Sequence, residues 1–306
     1  MNILVTGGTG FIGTRLCRRL DADGHRLMVL SRNASGARKV LPEGTVVLTD
    51  LDQLAASTTV DAIINLAGEG IADRLWTEAR KKRLIDSRVS VTREIGRLIG
   101  RLDRAPQVLV NGSGVGFYGD AGEAELTEEA SAMRRDFGYL LCDAWESAAQ
   151  EAAGESVRLC IVRTGVVLGR GGMLGKLLPL YRLGLGARLG SGEQWVSWVH
   201  IDDMVRILCT LVESPDASGV HNAVAPEPVT HARLHETLAR MCRRPAFLRV
   251  PGWPLRTLLG EMSTLFLGSQ KVLPRRLEQR NFQFRYPDID AALEQIVRGK
   301  NERENG

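Results

Sequence analysis

Residues 3–13 read Ile3-Leu4-Val5-Thr6-Gly7-Gly8-Thr9-Gly10-Phe11-Ile12-Gly13. A short apolar run enters a turn with glycines at 7, 10 and 13. A segment with Ile12, Leu16 and Leu20 four apart on one helical face follows. The order strand, glycine turn, helix predicts a phosphate cradle. The early glycines bring backbone N–H groups close to the ligand, and the last lets helix and strand pack closely. The helix N-terminus adds partial positive charge at the same point. The alternative is a tight turn that holds no ligand.

Outward from this turn the same alternation repeats. Strands are predicted at 27–30, 46–48, 62–66, 108–110 and 159–162, and helices at 11–23, 77–102 and 137–152. Continuous apolar strands between amphipathic helices imply an α/β fold, a doubly wound parallel sheet of the NAD(P)-binding Rossmann type. Residues 1–165 form the predicted Rossmann domain, with later segments returning to its sheet. Residues 166–250 are a mixed, loop-rich substrate region, 251–298 a smaller helical lobe, and 299–306 a flexible tail. Asp is a good helix N-cap, so Asp202 and Asp203 are expected to cap a helix starting near Met204.

The end of the second strand decides which dinucleotide the cradle takes. NAD-selective sites carry an acid there, bonded to the ribose hydroxyls. This chain has Ser31-Arg32, with Arg38 and Lys39 nearby. A hydroxyl and a guanidinium suit a 2′-phosphate, and no carboxylate repels it. NADP(H) is the predicted cofactor; the plainer reading of Arg32 is a solvated strand-end residue.

Composition excludes other classes. The chain has 306 residues, 44% hydrophobic and 25% charged, with a formal charge of +4, which fits a globular protein. Its arginines are scattered and not interleaved with aromatics, so nucleic acid is not an expected partner. Five cysteines lie far apart, without zinc spacing, so no metal site is expected and a reducing compartment fits. The Leu-rich stretch 173–189 is broken by Lys176, Arg182, Arg188 and glycines, so no membrane partner is expected. A cytoplasmic protein acting on a small molecule is the default.

The wording Thr-Gly-Gly-Thr-Gly-Phe-Ile-Gly resembles the extended short-chain dehydrogenase/reductases. Further segments narrow the resemblance: Trp76-Thr77-Glu78 with Ser87-Arg88-Val89, Val115 to Asp120, Arg163 to Gly169, Trp198 to Asp203, and Gly268 to Pro274. Together they are similar to the "epimerase family protein" branch of SDR39U1-type proteins, which carries its own C-terminal domain of the DUF1731 type. The match covers residues 1 to about 298. It implies cofactor contacts from Gly7, Thr9, Gly10, Phe11, Ile12 and Gly13 in the turn. It adds Ser31 and Arg32, then Asp50 and Leu51 at the adenine, then Leu66, Ala67 and Gly68 along the ribose and phosphates, and Val167. Arg88 either faces the cofactor phosphates or is a surface arginine on a polar helix. The resemblance also implies a homodimer through the long helices, as family analogues often form.

The resemblance breaks at the chemistry. Ordinary members use Tyr-x-x-x-Lys on one helix face, with a Ser or Thr after the fifth strand. Anchored on Glu146, the helix here puts Gly138 and Cys142 at those positions. Anchored on Tyr139, it puts Asp143 where Lys belongs, and a carboxylate there opposes a phenolate. Ser113 either orients a substrate oxygen or caps the turn. Tyr118 and Tyr139 are substitute acids, Tyr118 equally a packing residue. Cys142 is expected to be inert on its apolar face. His200 with Asp202 and Asp203 reads as a catalytic pair or as a device that orders a loop. Trp253 and Phe266 either roof a pocket or fill the lobe's core. Two functions remain: an NADP(H)-dependent oxidoreductase or nucleotide-sugar epimerase-like enzyme with an atypical acid, or a non-catalytic NADP(H)-binding sensor.

Overall fold

A computed structural model describes residues 1–299. Of the expected flexible tail, 300–306 lie outside the described residues, and Gly299 closes the last helix.

Along the chain run β1 (Asn2–Thr6), α1 (Phe11–Ala22), β2 (Arg26–Leu30), α2 (Ala34–Arg38), β3 (Val46–Leu48), β4 (Ala62–Asn65), α3 (Glu78–Arg101) and β5 (Val108–Gly114). Then come β6 (Glu125–Leu126), α4 (Phe137–Ala153), β7 (Arg158–Thr164), β8 (Val166–Leu168), α5 (Gly172–Arg182), β9 (Arg188–Leu189), β10 (Trp195–Val196) and β11 (Trp198–His200). The rest are α6 (Ile201–Glu213), β12 (Gly219–Ala223), β13 (Val229–Thr230), α7 (His231–Met241), β14 (Arg249–Val250), α8 (Gly252–Leu259), α9 (Thr264–Leu267), β15 (Lys271–Val272), α10 (Arg275–Gln279) and α11 (Ile289–Arg298).

Two compact units interleave along this order. The first comprises Met1–Phe117, Arg135–Thr164 and Met204–His221. It holds the seven-stranded sheet, in the order β12-β7-β5-β4-β1-β2-β3. The strand order reverses between β1 and β4, the switch point at which such sheets bind ligands beyond their carboxyl ends. β1 pairs in parallel with both neighbours, Val5 opposite Val29 and Ile64. Leu4, Ile63 and Leu109 from the sheet are buried with Ile95 and Leu98 of α3 and Ala152 of α4.

The long helices begin where their side-chain caps dictate. Thr77 accepts from Arg80 N at the head of α3, and Asp136 accepts from Tyr139 N at the head of α4. α3 and α4 approach closely because Gly96 has no side chain: a Cβ there would lie 3.1 Å from Ala152 Cα. β5 runs on to Gly114, past the apolar run that signalled it. Asn111 and Ser113 are polar but buried and hydrogen-bonded, so the strand continues without an apolar pattern.

The second unit comprises Tyr118–Arg134, Gly165–Asp203 and the chain from Asn222. Its core joins Leu174, Leu178 and Tyr181 of α5 to Leu234 and Leu238 of α7 and Leu293 of α11. Short two-stranded pairings, β8 with β11, β9 with β14 and β6 with β15, tie its loops together. α6 starts at Ile201, three residues before the expected start, because His200 caps it: Asp202 N donates to His200 Nδ1 at 3.1 Å. That bond leaves the proton on Nε2, which donates to Gln295 Oε1 at 3.1 Å. The Asp203 carboxylate accepts instead from Arg285 N and Tyr286 N, both at 2.8 Å. The His-Asp-Asp run thus anchors the C-terminal segment.

Candidate functional site

The glycine turn leaves β1 at Gly7, whose φ of 70° lies in the left-handed region. A Cβ on Gly7 would lie 2.5 Å from Leu66 O, and one on Gly13 would lie 2.2 Å from Gly7 O. These two glycines let the turn press against the backbone that follows β4 and against its own helix. Gly10 differs: a Cβ there would meet only Gly7 O, at 3.2 Å. Gly10 is the N-cap of α1 and offers no capping side chain, and the first turn has no acid. The leading N–H groups of α1, from Phe11, Ile12 and Gly13, therefore carry the helix's positive end without compensation. Thr9 and Gly10 are exposed.

At the end of β2, Ser31 N is held by Leu48 O at 2.8 Å. Ser31 Oγ makes only long contacts, 3.3 Å, to Asn33 N and O. Arg32 is exposed and forms no ion pair among the described residues. Asp50 is exposed and accepts from Asp52 N at 2.8 Å. The Leu51 side chain is spent in the core and its carbonyl accepts from Arg101, so any ligand contact at Leu51 falls to other backbone atoms.

Beyond β4, Leu66, Ala67 and Gly68 lie along the turn. Gly68 makes room for Arg88: a Cβ there would fall 2.8 Å from its guanidinium carbon. Arg88 donates to Leu84 O at 2.9 Å and Glu69 O at 3.0 Å, and lies over the Trp145 ring. No carboxylate among the described residues pairs with it, and burial brings its pKa down to about 10. It is an inward-turned cation, not a solvated surface one. Val167 lies in the second unit, on β8 opposite Val199.

Sequence reading missed what holds this edge. Asn65 accepts from Thr6 Oγ1 at 2.6 Å and donates to Thr92 Oγ1 at 2.8 Å and Asn111 Oδ1 at 2.6 Å. Trp145 Nε1 adds a bond to Thr92. This buried lattice links β1, β4, β5, α3 and α4. Each residue is an ordinary polar side chain in its own segment, so only the fold reveals the group.

The three candidate hydroxyls are all engaged. Ser113 Oγ donates to Glu146 Oε1 at 2.6 Å, and Glu146 is held by Arg163 at 2.9 and 2.8 Å. Arg163 in turn stacks on Phe117. Tyr118, in the second unit, is 0% exposed and donates to Asn222 Oδ1 at 2.8 Å. Tyr139 is half-buried and donates to Asp143 Oδ1 at 3.2 Å, its ring beside Phe117 and Arg135. Cys142 is buried against Gly114 O, and burial pushes its thiol up to about 11, an inert state. Trp253 is 70% exposed, which removes it from the lobe's core. A groove of about 590 Å³ beside Asn2, His25 and Thr45 lies at the amino ends of the strands, opposite the glycine turn.

Known proteins share this chain's family and fold. Residues 3–225 match the model of the NAD dependent epimerase/dehydratase family, and residues 250–296 match a domain of unknown function, DUF1731. The chain is 38% identical to human epimerase family protein SDR39U1, covering 97% of this chain and 100% of that one. It is 36% identical to epimerase family protein YfhF of Bacillus subtilis, covering 97% and 98%. A crystal structure of human SDR39U1 with NADPH superposes with a TM-score of 0.88 at 37% identity, covering 97% of this chain and 99% of that one. UDP-glucose 4-epimerase of Thermotoga maritima, at 17% identity and a TM-score of 0.80, shares the fold. By sequence and by fold, the chain belongs to the NAD dependent epimerase/dehydratase family.

Proposed function

We propose that this chain binds NADP(H) at the glycine turn and works as an NADP(H)-dependent oxidoreductase that dispenses with the Tyr-x-x-x-Lys pair. One observation carries the cofactor reading: three unneutralised positive features line one sheet edge. They are the uncapped α1 N-terminus, Arg32 and Arg88. A pyrophosphate and a 2′-phosphate match that charge, and Gly10 leaves the space for one of them. The relative crystallised with NADPH supports the same choice.

NADPH, when bound, supplies a hydride. The chain must supply the proton at the reduced carbonyl oxygen. Of the candidate hydroxyls only that of Tyr139 belongs to a residue that is not buried. Its bond to Asp143 is long enough to exchange for a substrate oxygen. Tyr139 is therefore the proton donor in this reading: Asp143 holds its hydroxyl until a substrate oxygen replaces it, and the Arg135 guanidinium over the ring offsets the phenolate that is left beside that carboxylate. A small carbonyl compound or nucleotide sugar is the substrate class.

The test is NADPH oxidation against a panel of carbonyl compounds and nucleotide sugars. Turnover that falls with Tyr139→Phe, at unchanged NADPH affinity, supports the enzyme. A second reading, an NADP(H)-binding sensor without turnover, is favoured by the burial of Ser113 and Tyr118 and by the loss of the lysine. Tight NADPH binding with no turnover of any compound selects it.

A further inference from the structure

Large apolar side chains are exposed mostly in one part of the second unit. Leu183, Phe247 and Trp253 are each 70% exposed and Leu258 is 72% exposed; Leu180, Leu185 and Leu265 are exposed beside them. The backbone brings their segments together. Arg244 Nε donates to Arg182 O at 2.7 Å, next to Leu183. β14 pairs with β9, so Phe247 runs beside the chain that leaves Leu185. α8, with Trp253 and Leu258, follows β14 directly, and a Cβ on Gly252 would touch Leu267 of α9. α8 buries none of its residues.

The same surface is strongly basic. Arg182, Arg243, Arg244, Arg249 and Arg256 are all exposed, and none forms an ion pair among the described residues. Elsewhere in this unit exposed arginines do: Arg233 and Arg240 pair with Asp290, and Arg275 with Glu278. Residues 176–192 hold no Asp or Glu, and residues 237–267 hold one, Glu261 between α8 and α9. An exposed apolar cluster that is left uncovered marks an interaction site, and unpaired guanidinium groups around it ask for an anionic partner.

We propose that this face of the second unit binds the surface of an anionic lipid bilayer. Arginines meet the headgroups, and Leu183, Leu185, Phe247, Trp253 and Leu258 enter the boundary with the acyl chains. Five of the seven exposed apolar residues are leucines, which enter hydrocarbon but do not stack on bases, so a single-stranded nucleic acid fits less well. A second copy would bring the same unpaired arginines against these, so self-association through this face is opposed by like charge. No helix described is long and apolar enough to cross a membrane. Attachment at the surface needs none, which is why the broken Leu-rich stretch 173–189 gives no sign of a membrane partner. The proposal is independent of the cofactor reading.

The test is flotation of the full chain with vesicles of phosphatidylcholine alone, or with about one-third phosphatidylglycerol. The protein is expected to float with the anionic vesicles only and to be released by high salt. Arg182→Glu with Arg244→Glu should weaken binding at least about twenty-five-fold, taking about five-fold for each lost cation. Trp253→Ser with Leu258→Ser should also abolish flotation, and Arg18→Glu with Arg26→Glu, an equal charge change on the first unit, should leave it intact. Circular dichroism confirms that each variant is folded. Equal flotation with neutral vesicles, equal loss with Arg18→Glu plus Arg26→Glu, or no flotation of folded wild type overturns the proposal. So does burial of this face in a dimer, or preference for single-stranded RNA over vesicles.

Discussion

Ser113 gives its hydroxyl hydrogen to Glu146 Oε1 at 2.6 Å, and both residues are buried. The proton is committed to a carboxylate that Arg163 already holds with two bonds. Ser113 therefore ties β5 to α4, and it cannot also donate to a substrate oxygen. Ser113→Ala should lower stability by about 1–3 kcal/mol in urea unfolding, since a charge-assisted buried bond is lost. NADPH affinity should stay within about two-fold of wild type. A normal melting curve with lost turnover would reverse that assignment.

The same clamp predicts an asymmetry. Arg163→Leu leaves the Glu146 carboxylate buried without its cation, which costs about 3–5 kcal/mol. Combining Arg163→Leu with Glu146→Met should recover most of that loss, because desolvation of both charges is then avoided. A double-mutant cycle in urea checks the recovery. Additive losses would mean that the pair is not coupled as the structure has it.

The glycines of the turn separate packing from ligand space. Gly13→Ala puts a methyl 2.2 Å from Gly7 O and should cost more than about 2 kcal/mol. Gly10→Ala meets only Gly7 O at 3.2 Å, so it should change stability by less than about 1 kcal/mol. It should still weaken NADPH binding about ten-fold or more by filling the space before the α1 N-terminus. Thermal melts beside calorimetry resolve the two effects; a Gly10→Ala variant that binds normally would move the phosphates elsewhere.

Acid sensitivity should come from the second unit. Burial lowers His231 from the usual 6.5 to about 4, with His235 and Arg188 adding like charge. The folded chain keeps this imidazole neutral where the unfolded chain takes up a proton. Its contribution is complete above pH 6.5 and is lost as pH falls from 6.5 through about 4. The loss is on the order of 1–3 kcal/mol after allowance for partial exposure. His231→Gln should flatten the stability profile across that window. An unchanged profile would show that His231 is solvated and titrates normally.

The legible parts of this protein are those with local signatures. Gly7, Gly10 and Gly13 sit between a strand and a helix whose patterns are contiguous, so the turn and the parallel sheet can be read from one stretch. The end of β2 offers a second local signal, since Arg32 stands where an acid would otherwise be. The illegible parts depend on partners distant in sequence. Asn65 and Thr92 are twenty-seven residues apart, and nothing near either announces the bond. Ser113 looks available in sequence because its partner Glu146 lies thirty-three residues on. His200 reads as one of a pair with acids, whereas its ring caps α6 and reaches Gln295. Trp253 is ambiguous because bulk alone does not say whether a side chain is covered.

The most direct test of the cofactor assignment is calorimetric titration with NADPH and with NADH, of the wild-type chain and of Arg32→Asp. The wild type should bind NADPH at least about ten-fold more tightly than NADH, reflecting one charge-assisted contact to the 2′-phosphate. Arg32→Asp should erase or invert that preference while sparing NADH. Equal affinities in the wild type, or a preference that survives Arg32→Asp, would contradict the role of Arg32; no binding of either dinucleotide would contradict the cofactor site itself.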